Sequence, residues 1–124
     1  MQCPCGSGAS LKHCCGPCLE GAAAVTAEQL MRSRYTAFVL QDEAYLLATW
    51  HPTTRPLALG LYQDHPCPRW LGLKIMNFQI QDETHATVEF VARQKVAGHA
   101  YRMHELSRFL FVDGRWFYVD GKIP

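Results

Sequence analysis

The sequence predicts an α+β chain in which N-terminal helices pack on one face of a curved, cone-like antiparallel sheet, with a small metal knot in front. Three observations carry this. Apolar residues recur at helical spacing between Ala27 and about Gln41, the pattern switches to period two after Trp70, and five of the six cysteines fall within the first eighteen residues. The 124 residues suffice for one core, so the expected organisation is a zinc-binding segment over residues 1–20 and an α+β domain over 21–124.

The first segment holds Cys3, Cys5, Cys14 and Cys15 as a C-x-C-x8-C-C array with Gly6-Ser7-Gly8 inside it. Thiolates crowded into one short loop suit a tetrahedral structural zinc, one ion, with no position left open for chemistry. The glycines allow a tight turn that aims backbone N–H groups at the sulfurs. Cys18 and His13 are rival ligands at this stage, and two disulfides are the competing account. Reduced thiols argue against disulfides, because no basic region followed by an apolar stretch marks a secretory signal. The expected location is therefore the cytoplasm. Within residues 1–18 only Leu11 offers an apolar anchor, so metal rather than burial is expected to order the segment. Lys12 is expected to offset some of the thiolate charge.

Thr26 has Gln29 at the capping-box position and starts the first helix, whose apolar stripe is Leu30, Met31, Tyr35, Phe38 and Val39. Asp42 caps a second helix running to Trp50, and His51-Pro52 ends it. Thr53 to Arg69 carries Pro56, Gly60, Pro66 and Pro68 and reads as a lid-like connection, with Leu57, Leu59, Leu61 and Tyr62 tucked against the core. Strands follow at Trp70 to Gln81, Thr84 to Val96, Ala100 to Val112 and Arg115 to Asp120, with turns at Gln81-Asp82-Glu83, Ala97-Gly98-His99 and Asp113-Gly114. In the second strand Ala86, Val88, Phe90 and Ala92 face one way, and His85, Thr87, Glu89, Val91 and Arg93 form a wet face.

Composition narrows the function classes. A charge of +1 with 48% hydrophobic and 19% charged residues describes an ordinary globular chain, with no strong pull toward nucleic acid. No basic stripe, phosphate loop or dinucleotide fingerprint is visible. No apolar run reaches the roughly 20 residues of a membrane helix, and nothing in the pattern indicates oligomerisation.

Period two on the third strand aligns Tyr101, Met103, Glu105, Ser107, Phe109 and Phe111, a carboxylate and a hydroxyl in an apolar row. Glu105 is a candidate general base in a pocket with Tyr35, Trp70, Phe90 and Ser107. The favoured alternative is a structural ion pair between Glu105 and Arg34 or Arg32. His51 reads as a helix-ending residue, His104 as part of a solvated edge with Arg102 and Arg108, and Cys67 as an inert lone thiol. No catalytic residue is assigned.

The run CPCGSGASLKHCCG from Cys3 to Gly16 resembles the SEC-C motif, the zinc-binding tail known from the SecA translocation ATPase. LMRSRYTAFVLQDEAYLLATWHPTTRP from Leu30 to Pro56, WLGL from Trp70 and SRFLFVDGRWFYVDG from Ser107 resemble the YchJ-like family of bacterial proteins. The resemblance implies Cys3, Cys5, Cys14 and Cys15 as the zinc ligands, with Cys18 a free thiol on the connector and His13 a surface residue. It also implies the cone-shaped fold of nuclear transport factor 2. Some relatives carry another SEC-C motif at the C-terminus, which this sequence lacks. In the SecA tail the motif contacts the chaperone SecB and the ribosome, so protein or ribosome binding through Leu11, Lys12 and His13 is the expectation, making the chain an adaptor module. The alternative is a small-molecule binder or enzyme built around Glu105.

Overall fold

The computed structural model describes residues 1–61 and 67–124. A 3-10 turn at Leu11–His13 and α1, Gly16–Leu19, belong to the cysteine segment. Helices α2, Ala27–Leu40, and α3, Glu43–Ala48, follow, and then strands β1, Arg69–Ile80, β2, His85–Val96, β3, His99–Val112, and β4, Arg115–Lys122. The strands form one antiparallel sheet in the order β1-β2-β3-β4.

Local chemistry sets the boundaries. Thr26 Oγ1 accepts from Gln29 N–H at 3.0 Å, and Gln29 Oε1 accepts from Val25 N–H at 2.6 Å, so both donors at the start of α2 are satisfied. Asp42 caps α3 by accepting from Tyr45 N–H. This helix stops at Ala48, short of Trp50, because the chain turns to join the sheet. Tyr118 N–H donates to Thr49 O and His51 N–H donates to Tyr118 O, which extends the β4 edge. The two-residue hairpins at Ala97-Gly98 and Asp113-Gly114 have positive φ throughout, the geometry that matches strand twist.

The sheet's inner face packs on α2. Ala86, Val88, Phe90, Ala92 and Phe109 join Ala27, Leu30, Met31 and Tyr35 in one buried cluster. Bulges between Trp70 and Gly72, Ile75 and Asn77, and Arg108 and Phe109 bend the strands, and this curls the sheet.

Several expectations are corrected here. The second strand is not wet on its outer face throughout, because Thr87 and Val91 are buried there by long neighbouring strands. On β3 the apolar row is buried at Ser107 and Phe109, but Tyr101 and Met103 lie toward the open end and are exposed. Leu57 is fully exposed, whereas Leu59 and Leu61 are half-buried. Tyr62 and Pro66 of the expected lid lie outside the described residues.

The cysteine segment is also more than a metal-ordered tail. Cys3, Cys5 and Cys15 sit within the same buried cluster as Leu30, Met31 and Tyr35, and Leu11 packs against it. Sulfur supplies the apolar surface that the segment otherwise lacks.

Candidate metal centre

Cys3 and Cys5 are presented by the first turn, Cys14 and Cys15 by the step from the 3-10 turn into α1. Cys3 N–H donates to Ala9 O and Leu11 N–H to Met1 O, closing the loop on itself. Gly6 and Gly8 adopt φ of +80 and +90, which their lack of a Cβ permits. A Cβ on Gly16 would meet Leu11 O at 2.7 Å, so the residue after Cys15 must be glycine for the two turns to pack.

The four sulfurs all lie within 4.8 Å of one another. Cys5 and Cys14 are 3.6 Å apart and Cys14 and Cys15 are 3.9 Å apart. Tetrahedral zinc with bonds of about 2.3 Å separates its sulfurs by about 3.8 Å. The donor set, its spacing and its burial therefore fit one four-coordinate thiolate-loving ion. Among the described residues, which include all six cysteines, no disulfide forms. Cys18 is not part of the group, and it is not on the connector: it is buried in α1, where burial pushes its thiol pKa up. His13 and Lys12 are exposed.

Charge in the site is unevenly held. The Cys5 thiol is lowered to about 4, chiefly by its hydrogen bond with Cys15 and with help from Ser7, while Cys15 is pushed up by that same bond and by burial. Ser7 also reaches Cys14, with its Oγ 3.0 Å from the sulfur. Lys12 was the expected counter-charge, but the cation at the cluster comes from α2. Arg32 Nη1 donates to Cys5 O at 3.0 Å and stands 3.9 Å from Cys5 Sγ, and its Nε is bonded to Glu28. Thr36 Oγ1 lies 3.6 Å from Cys3 Sγ. Both residues were missed because no local signal links position 5 to position 32. The i, i+4 pair Glu28–Arg32 was the only hint that Arg32 is held in place.

The second candidate lies between α2 and the sheet. Tyr35, Trp70, Phe90 and Glu105 line a cavity of about 240 Å3, together with Arg34 and Tyr118. Ser107 is buried outside the lining and donates to Glu105 Oε2 at 2.5 Å. The expected ion pair is replaced by separate arrangements. Arg34 is 3% exposed, donates to Leu46 O at 2.8 Å and Thr49 Oγ1 at 2.7 Å, and stacks its guanidinium 5.1 Å from Trp50 and 4.5 Å from Tyr118. Among the described residues Glu105 makes no salt bridge. Burial, and then the Glu105 charge, pushes the Tyr118 hydroxyl up to about 12. Leu46 O and the Thr49 hydroxyl, at the end of α3, hold Arg34 in place of Glu105.

The remaining candidates are structural. His51 Nδ1 accepts from Thr53 N–H in the turn after α3, and His104 is bonded to Glu89 at 2.6 Å. Cys67 is exposed, with Gln41 Nε2 3.8 Å from its sulfur. No helix among the described residues is long and apolar enough to cross a membrane.

Comparison with known proteins agrees with both halves of this architecture. Residues 2–17 match the SEC-C motif and residues 26–121 match the YchJ middle NTF2-like domain. A UPF0225 protein of Ralstonia nicotianae is 56% identical, covering 98% of this chain and 90% of its own. One of Bordetella pertussis is 55% identical, covering 98% and 92%. The solution structure of a SEC-C motif protein from Rhodopseudomonas palustris superposes with a TM-score of 0.88 at 34% identity, over 100% of this chain and 99% of that one. A crystal structure of a SEC-C motif protein from Psychrobacter arcticus gives 0.81 at 28% identity, over 98% and 82%.

Proposed function

Since the chain belongs to the YchJ-like family, with a SEC-C motif ahead of an NTF2-like domain, we propose that it is a cytoplasmic zinc protein acting as a protein-interaction or adaptor module through its knuckle. Cys3, Cys5, Cys14 and Cys15 would hold one zinc ion. The ion's contribution is to fix the loop, because four protein ligands leave no vacancy for water.

The observation that carries this reading is a groove of about 630 Å3 on the knuckle, lined by Met1, Ser10, Leu11, Lys12, Pro17 and Leu19 among others. It pairs apolar floor with an exposed cation, and a rigid site behind it lowers the entropy cost of binding. Lys12 supplies its polar rim, and His13, next along the 3-10 turn, is exposed. The partner is a protein, free or within the ribosome.

The test is affinity capture with zinc-replete protein against a Leu11→Ala, Lys12→Ala variant that keeps its metal. Loss of specific partners from the variant is expected. Capture of the same set by both proteins would sink the reading.

A second reading is favoured by Glu105, whose carboxylate lines the aromatic cavity without an arginine bound to it. That cavity would take a small, largely apolar molecule carrying one hydrogen-bond donor. Thermal-shift screening of wild type against Glu105→Gln separates the two: a ligand whose shift vanishes in the variant supports the cavity, and equal shifts reject it.

A further inference from the structure

The register of the sheet gathers charge that the sequence keeps apart. On the face turned away from α2, Arg69 lies directly opposite Lys95, and Arg93 directly opposite Arg102, with Lys74 on the next rung along β1. All five side chains are exposed, and none is in a salt bridge among the described residues. The two acidic strand residues that share this face, Glu89 and Asp120, are already bonded to His104 and Arg108. The overall charge of +1 therefore conceals a strongly basic patch spread over three strands.

Like charges directly across a strand pair destabilise a sheet. Two such pairs on successive rungs are an arrangement that folding alone does not favour, and an anion bound between them relieves it. Beside them runs a groove of about 440 Å3 in which Gly72, Met76 and Val91 adjoin Lys74, Arg93 and Arg102. A Cβ on Gly72 would meet nothing within 4 Å, so the floor there is open.

We propose that this face binds a single-stranded nucleic acid through its phosphates. Outward residues on one strand repeat every ~6.8 Å and neighbouring strands lie ~4.8 Å apart. Both spacings lie near the step between neighbouring phosphates, so the five cations, two on each of two rungs and Lys74 on the third, can each meet a separate phosphate. The apolar floor of the groove at Met76 and Val91 takes a sugar or base edge beside the cations. Contacts to phosphate carry no sequence preference, so recognition is of the backbone.

The experiment uses the full, zinc-loaded chain and a fluorescein-labelled oligouridylate, followed by anisotropy across a salt series. Five cations on five phosphates give a slope of about −3.5 in log affinity against log salt, or about a 100-fold loss between about 50 and about 200 mM salt. Arg93→Gln with Arg102→Gln is expected to bring the slope to about −2 and weaken binding about 50-fold at the lower salt. Its melting midpoint should hold or rise, since a repulsive pair is removed. Should that variant fail to fold, Lys74→Gln alone is expected to reduce the slope by about 0.7. Arg108→Gln, on the same face but paired with Asp120, should bind as wild type. A slope shallower than about −1 overturns the proposal. So does unchanged binding in the patch variants, equal weakening in Arg108→Gln, or tighter binding of polyglutamate, duplex DNA or phosphatidylserine vesicles than of the oligouridylate.

Discussion

Stripping the metal is expected to loosen α2 as well as the knot. Leu30, Met31 and Tyr35 share one buried cluster with Cys3, Cys5 and Cys15, so the knot covers part of the stripe by which α2 is held. Full burial of side chains of this size is worth about 1.5–3 kcal/mol each, and a knot supplying half of that cover contributes about 2–4 kcal/mol over the three. For a domain near 100 residues each kcal/mol moves the melting midpoint by about 4–8 °C, which gives a fall of about 10–30 °C. Chain entropy regained by the freed knot places the result toward the lower end. Scanning calorimetry with and without a chelator reads the shift, and elemental analysis verifies that the metal has left. Hydrogen exchange at the α2 amides should quicken in the stripped protein. A fall below about 5 °C, or two transitions of which the larger is unmoved, would show that the knot is an independent tail and refute the packing argument.

Three further outcomes follow from named contacts. Arg34→Met leaves Leu46 O and Thr49 Oγ1 without the Arg34 donor and is expected to lower stability by about 2–4 kcal/mol in urea titration, whereas Glu105→Gln should cost under about 1 kcal/mol because Ser107 can still donate; equal losses would restore the direct Arg34–Glu105 pair. Thr26→Ala removes the α2 cap and should cost about 1 kcal/mol, with Thr26→Ser recovering most of it, both read by thermal melts. Asp82 is held down from 3.8 to about 2, first by Thr84 N–H and then by His85. A carboxylate with a depressed pKa stabilises the fold above its unfolded value and loses that contribution as pH falls through the folded one. The β1–β2 turn should therefore loosen between about pH 4 and about pH 2, seen in the Thr84 amide resonance, and a Thr84 shift that titrates near pH 4 would contradict it.

Much of the architecture was legible because its determinants are local. Thr26 and Asp42 announce the helix starts, Asp113-Gly114 and Ala97-Gly98 the hairpins, and the change from helical to alternating spacing the order of layers. The knot was legible for the same reason, since its four sulfurs come from one stretch of fifteen residues. Side-chain partnerships across elements were not. Arg34 was expected on Glu105 and instead closes α3 against Trp50 and Tyr118. Arg32 was assigned the same role and instead stands over Cys5.

The sequence by itself determined the α+β layering and the cysteine array, because periodicity, caps and turn residues act over a few positions. The tertiary structure alone decided that the knot is packed into the core, that Glu105 lines a cavity, and that Arg69, Lys74, Arg93, Lys95 and Arg102 share one face. The physical reason lies in register. Each strand sequence fixes which residues alternate, but only the pairing of three strands fixes which charges stand side by side, and moving one strand by a single residue would turn its outward charges to the inner face.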